Sequence, residues 1–122
     1  MSRAQPITSR TMVQHCLLVS LVRVPEAHEW RQVRQEMLDA VAQHAPHGVV
    51  LDLAQADVLD EHDLKAILDT RATVRLMGLS MVLCGLRPEV VHAWSRLTHL
   101  PTDLLGFAMV QDAIDALEHA RP

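Results

Sequence analysis

Three short apolar runs, each followed by a stretch of helical period, constrain this chain more than any other feature. Cys16 to Val22 reads CLLVSLV, Gly48 to Leu53 reads GVVLDL, and Ser80 to Cys84 reads SMVLC. Compact runs of this kind, rich in branched residues, are the pattern of strands buried on both faces in a parallel sheet. The segments between them change period. From about Ala27, the residues Trp30, Val33, Met37, Ala40 and Val41 recur at helical spacing, with Arg31, Arg34, Gln35 and Asp39 on the other face. Pro46 and Gly48 stop that helix. A second helix is marked by Leu64, Ile67, Leu68 and Val74. Asp60 is its N-cap, Glu61 and Asp63 load its first turn with acid, and Gly78 lies just past its end.

The remainder of the chain completes the alternation. Pro88 suits the first position of a third helix, whose stripe reads Val91, Trp94 and Leu97, and Pro101 ends the segment. Leu104 to Met109 offers a last short strand, and Val110, Ala113, Ile114 and Leu117 mark a C-terminal helix. Pro6 to Ser9 reads as a short edge strand, where proline is tolerated. The predicted order is β-β-α-β-α-β-α-β-α. This is an α/β domain with a mixed, mostly parallel sheet of about five strands, right-handed crossovers and four covering helices.

Bulk properties narrow the function classes. With 122 residues, 49% of them hydrophobic, the chain reads as one domain over 1–122 that buries a core without staples. Its formal net charge is −4 and its 11 Lys and Arg residues do not cluster, so neither nucleic acid nor an anionic membrane is an expected partner. Cys16 and Cys84 lie far apart in apolar runs and read as reduced core thiols. No run approaches the length of a membrane span and no signal-type core follows the N-terminus, which leaves a cytoplasmic location by default.

Motifs for catalysis are missing. The four glycines, at 48, 78, 85 and 106, form no phosphate-binding fingerprint, and there is no Gly-x-Ser-x-Gly elbow. Eight histidines, at 15, 28, 44, 47, 62, 92, 99 and 119, invite a metal hypothesis. His44 and His47 are three apart across a helix end, but Pro46 between them breaks the geometry and no third ligand is indicated, so no metal or other cofactor is expected. Asp52, Asp57, Asp60, Glu61 and Asp63 make an acidic stretch at the carboxyl end of a parallel strand, where open α/β sheets place functional loops. A magnesium-dependent phosphoacceptor site of the receiver type would need paired acids after the first strand and a Lys after the last. Here the first long strand ends Leu21-Val22-Arg23, and Lys65 is the one Lys in the chain. Acids in a first helical turn also serve simply to complement the helix dipole. Trp30 and Trp94, on apolar helix faces, are expected to pack in the core.

The ordered set of segments resembles a known family. The stretch GVVLDLAQADVLDEHDLKAIL, followed by VRLMGLSMVLCGLRPEVV, is similar to the STAS family of sulfate transporters and anti-sigma factor antagonists. The matching pattern is a strand ending in Asp52, Val58-Leu59-Asp60 leading into the second helix, Gly78, and Gly85-Leu86-Arg87-Pro88 opening the third. HCLLVSLV after Ile7 resembles the N-terminal strand pair of the RsbS-like stressosome branch. The resemblance runs from about Pro6 to Leu117. It implies a non-enzymatic regulator in a partner-switching pathway, in which a GHKL-type kinase phosphorylates a Ser or Thr just after the Asp that starts the second helix. It also implies partners: that kinase or an anti-sigma factor, RsbR-like STAS proteins, and a homo-oligomer or large shell. A phosphate at such a helix start meets unpaired backbone N–H groups and adds about −1.5 to −2 charge to a docking face.

At that position this sequence departs from the pattern. The residue after Asp60 is Glu61, and His62 and Asp63 follow, where small or apolar residues are usual. Asp60, Glu61 and His62 are therefore the candidate regulatory residues. Glu61 is either a fixed negative charge that partly imitates the phosphorylated state or a plain dipole cap left by a lost switch. Thr70, Thr73 and Ser95 are alternative hydroxyls for phosphorylation. Two other classes stay open: a ligand-sensing domain that binds a nucleotide or small anion near Asp60, though no basic residues cluster there, and a small enzyme that uses the acidic loop and His62 for acid–base work.

Overall fold

The computed structural model describes residues 6–57, 59–97 and 106–119, and its organising element is a five-stranded sheet whose strands lie in chain order. Strands β1 (Thr8–Val13) and β2 (Cys16–Leu21) pair antiparallel, with Val13 opposite Cys16, so Gln14 and His15 alone make the turn. Gln14 adopts φ +55 there. The edge strand thus starts two residues later and ends four residues later than the expected Pro6 to Ser9. Ser9, Arg10 and Thr11 are exposed, since an edge strand is held by its backbone ladder rather than by an apolar face. Strands β3 (Gly48–Asp52), β4 (Met81–Cys84) and β5 (Gly106–Phe107) continue the sheet in parallel.

The helices fall where the periodicity places them. A single 3-10 turn, Ala27–Glu29, leads into α1 (Trp30–His44); α2 (Glu61–Leu76), α3 (Pro88–Leu97) and α4 (Val110–His119) follow. Within the sheet the side chains alternate between two cores, as the strand period of two requires. Leu17, Val19, Leu21, Val49, Leu51, Met81 and Leu83 belong to the larger core with Val33 and Met37 of α1, Leu64 and Ile67 of α2, and Trp94 of α3. Cys16, Val50, Val82 and Cys84 pack the other way, against Ala113, Ile114 and Leu117 of α4. Neither cysteine is in a disulfide, and both thiols lie in that second core. Burial, reinforced by the nearby Asp52 carboxylate, pushes the Cys84 thiol up to about 12.

One helix is turned relative to expectation. In α3 the buried residues are Val90 and Trp94, four apart, while Val91 is 40% exposed. The expected stripe was therefore one residue out of phase at its start: adjacent valines give no phase, and only packing decides which faces inward. Val58, His99, Pro101, Leu104 and the side chain of Leu97 lie outside the described residues. Among the described residues, no helix is long and apolar enough to cross a membrane.

Gly85 fixes the loop that follows β3. It sits at φ +75, and a Cβ there would come within 2.7 Å of Asp52 Oδ1 and 2.8 Å of the Ala54 nitrogen. Only glycine permits both that conformation and that approach.

Candidate functional site at the start of helix α2

The acidic loop between β3 and α2 places five carboxylates at the C-terminal ends of the parallel strands, and the structure gives four of them a structural task. Asp52 Oδ1 accepts the Ala54 N–H at 3.0 Å, which turns the chain away from the sheet. Asp57 pairs with Arg87 at 2.8 Å, joining the loop to the start of α3. Asp60 is the N-cap: its Oδ1 accepts the Asp63 N–H at 3.0 Å, and Asp63 Oδ2 accepts the Asp60 N–H at 2.8 Å. This is a reciprocal capping box, with Asp63 in the role more often filled by Glu.

Both tryptophans clamp this box. Trp30 Nε1–H, at the start of α1, donates to Asp63 Oδ1 at 2.9 Å, and Trp94 Nε1–H, in α3, donates to the Leu59 carbonyl at 3.1 Å. Leu59, just before Asp60, and Asp63, three residues after it, are thereby held by indoles from two different helices. Trp30 and Trp94 are buried, as expected, but their placement of the α2 terminus was not legible from apolar spacing. An indole on a packed face needs a partner for its N–H, and the acid-rich helix start was the available signal. The electrostatics divide within the pair. The donated Asp63 N–H holds the Asp60 carboxyl below its usual range, whereas burial raises that of Asp63.

Glu61 is the fifth carboxylate. It is the first residue of α2 and exposed, and among the described residues its carboxylate has no hydrogen-bond or ion-pair partner. His62 beside it is exposed as well. Glu61, Leu64, Lys65 and Leu68 line a shallow cleft of about 220 Å³. A larger open cleft of about 440 Å³ lies between α1 and α2, where His28, Arg31 and Arg34 face Asp69 and Thr70. That cationic edge was missed in the sequence, yet the three-residue spacing of Arg31 and Arg34 carried the signal, because residues at i and i+3 share one helical flank.

The alternative hydroxyls differ in access. Thr70 is 2% exposed and donates to the Ala66 carbonyl at 2.8 Å, a position closed to a kinase. Thr73 is half-buried and donates to the Asp69 carbonyl. Ser95 is exposed and donates to the His92 carbonyl. Of the described histidines, 28, 44, 62, 92 and 119 are exposed on separate elements, while His47 stacks on His15 at the opposite end of the sheet.

The same architecture occurs in known proteins. RsbS of Moorella thermoacetica, in a variant with serine replaced by glutamate, superposes with a TM-score of 0.75 at 22% identity, covering 92% of this chain and 95% of that one. A chain from the molecular architecture of the stressosome, described as a signal integration and transduction hub, gives a TM-score of 0.74 at 20% identity, covering 91% and 96%. At these identities the likeness is one of fold. The RsbT co-antagonist protein RsbRA of Bacillus subtilis is 25% identical over 77 residues; the match takes in 63% of this chain and only 28% of that protein. The family model of the STAS domain matches residues 14–113, from the β1–β2 turn into α4. That span takes in β2 to β5 and the capped start of α2, and the chain therefore belongs to the STAS domain family.

Proposed function

We propose that the chain, as one STAS domain over 1–122, is a cytoplasmic, non-enzymatic regulator of the anti-sigma factor antagonist or RsbS-like stressosome type. In this reading Glu61 stands where related proteins carry the phosphorylated Ser or Thr. The observation that carries it is the division of labour in the acidic loop: Asp52, Asp57, Asp60 and Asp63 are engaged in holding the loop, and Glu61 is left exposed on the platform they build. A fixed negative charge beside the cleft formed with Leu64, Lys65 and Leu68 suits a docking face whose partner choice depends on charge. Glutamate supplies one charge and two oxygens, so the imitation of phosphate is partial. The expected partners are a GHKL-type switch kinase or an anti-sigma factor, and RsbR-like STAS proteins in a larger assembly.

The test is an affinity capture from native cytosol with wild-type and Glu61→Ser baits, read by mass spectrometry. The expected result is recovery of a GHKL-type kinase, an anti-sigma factor or other STAS proteins, with yields that differ between the baits. Recovery of none of these overturns partner switching. Equal yields, together with equal assembly size, overturn the role of the Glu61 charge.

A second reading rests on the cleft between α1 and α2. Its Arg31 and Arg34, with the His28 ring beside them, supply the cationic edge that a small anionic ligand needs. A thermal shift across nucleotides and organic anions, lost in Arg31→Ala, would favour a ligand-sensing domain.

A further inference from the structure

We propose that His15, His47 and Glu118 form a binding site for a zinc-type divalent cation at the N-terminal end of the sheet, opposite the α2 terminus. One ligand atom from each of the three residues lies within 4.8 Å of the others. Tetrahedral zinc with bonds near 2.1 Å sets neighbouring ligand atoms about 3.4 Å apart. His47 Nδ1 and Glu118 Oε1 are already 3.6 Å apart, so only the exposed His15 has to swing inward.

Several features show a site assembled from distant parts of the chain. His15 lies in the β1–β2 turn, His47 in the loop before β3, and Glu118 in the last turn of α4. The His47 N–H donates to the His15 carbonyl at 2.7 Å, and the two imidazoles stack with centroids 4.7 Å apart. Gly48 seats α4 against β3: a Cβ there would come within 3.0 Å of Leu117, the neighbour of Glu118. The Cys16 thiol donates to Glu118 Oε1 at 3.5 Å, an outer-shell contact that orients the carboxylate.

The decisive feature is His47 Nδ1, which is buried and has no hydrogen-bond partner. At 3.6 Å the Glu118 oxygen is beyond hydrogen-bond reach. A buried, unanswered imidazole nitrogen beside a carboxylate and a second imidazole is what a coordinated cation would satisfy. Two nitrogens and one oxygen select zinc or a similar first-row ion over magnesium or calcium, which take oxygen ligands. Three protein ligands leave a fourth position for water or a partner's side chain. Because, among the described residues, α4 alone supplies the helical side of the second core, an ion held by Glu118 would pin that helix to the hairpin and to the loop before β3.

The test uses the untagged full chain stripped with a chelator. Zinc alone is titrated by calorimetry and by thermal unfolding, with magnesium in parallel. The expected result is one site and a rise in Tm of about 5 °C or more at a hundredfold excess over Kd, with no rise in magnesium. Cobalt in place of zinc is expected to give the visible absorption of a four-coordinate site. His15→Ala and Glu118→Gln are each expected to weaken zinc binding about tenfold or more. His15 is exposed, so its variant keeps the test valid if changes at His47 disturb folding. Absence of zinc binding at submillimolar concentration overturns the proposal. Binding of equal strength in His15→Ala and Glu118→Gln also overturns it, by assigning the ion to other residues.

Discussion

Compare the acidic loop that leads into α2 with the histidine pair at the other end of the same strands. In the loop, the Asp60 and Asp63 carboxylates answer each other's backbone N–H groups, and two indoles close on either side. At the histidine pair, a buried ring nitrogen of His47 is left without a hydrogen-bond partner. Both regions lie at chain reversals on the rim of one sheet, so burial alone does not explain the difference. Satisfied polar groups in a buried setting hold one geometry, because each alternative would strand a donor or an acceptor. An unanswered buried group costs stability unless some partner is supplied to it. The first end is therefore held in one geometry, which suits the docking role proposed for it, and the second leaves a ring nitrogen that the proposed cation would answer.

The largest effect is expected where the answered end meets the core. Trp94 is 1% exposed and donates to the Leu59 carbonyl. Trp94→Ala is expected to cost about 3–5 kcal/mol through its cavity. Trp94→Phe keeps most of the volume and strands the carbonyl, for about 1–3 kcal/mol. Urea unfolding separates the two. A Trp94→Phe protein as stable as wild type would show that the indole clamp contributes nothing and would dissolve the contrast.

A smaller loss, gated by pH, is expected at the start of α1, also on the answered end. Arg23 donates to both oxygens of Glu29 at 2.6 and 2.7 Å, and Glu29 also accepts the Glu26 N–H. The Arg23 hydrogen bonds, more than any other cause, lower the Glu29 carboxyl from 4.5 to about 2. The sign follows from linkage. A carboxylate whose folded pKa lies below its unfolded value stabilises the fold fully above the unfolded value, and the contribution fades as pH falls toward the folded one. The Tm difference between wild type and Glu29→Gln is therefore expected to be constant near neutrality and to close between about pH 4.5 and 2. A difference that persists at pH 2 would assign the effect to packing.

The element order was legible because β2, β3 and β4 are compact apolar runs and the helices between them carry a helical period: all five apolar positions expected in α1 are buried. Failures came where phase or punctuation was absent. Two adjacent valines left α3 ambiguous, and the β1–β2 turn uses Gln14 and His15 in place of the Asn or Gly that would have announced it. At the candidate site, Asp60 as N-cap and the acid in the first turn of α2 follow from local rules. The indole clamps and the meeting of His15, His47 and Glu118 do not, because they depend on contacts between segments far apart in the chain. His47 was paired in the sequence with His44, its neighbour in number, whereas the fold stacks it on His15.

The smallest effect sharpens the comparison most. In the presence of a chelator, His15→Ala is expected to change stability by no more than about 0.5 kcal/mol, since the ring is exposed and satisfies no buried group. His47→Leu is expected to be neutral or slightly stabilising, because it removes a buried nitrogen that has no hydrogen-bond partner. Urea unfolding of both variants, with matched slopes, provides the check. A loss above about 1 kcal/mol in His15→Ala would mean that the stacked pair holds the hairpin to the loop without any ion. The two ends of the sheet would then be alike, each finished by its own residues. A neutral result leaves the histidine pair as a feature whose cost the folded chain bears without benefit to itself, which is the condition expected of a site awaiting its ligand.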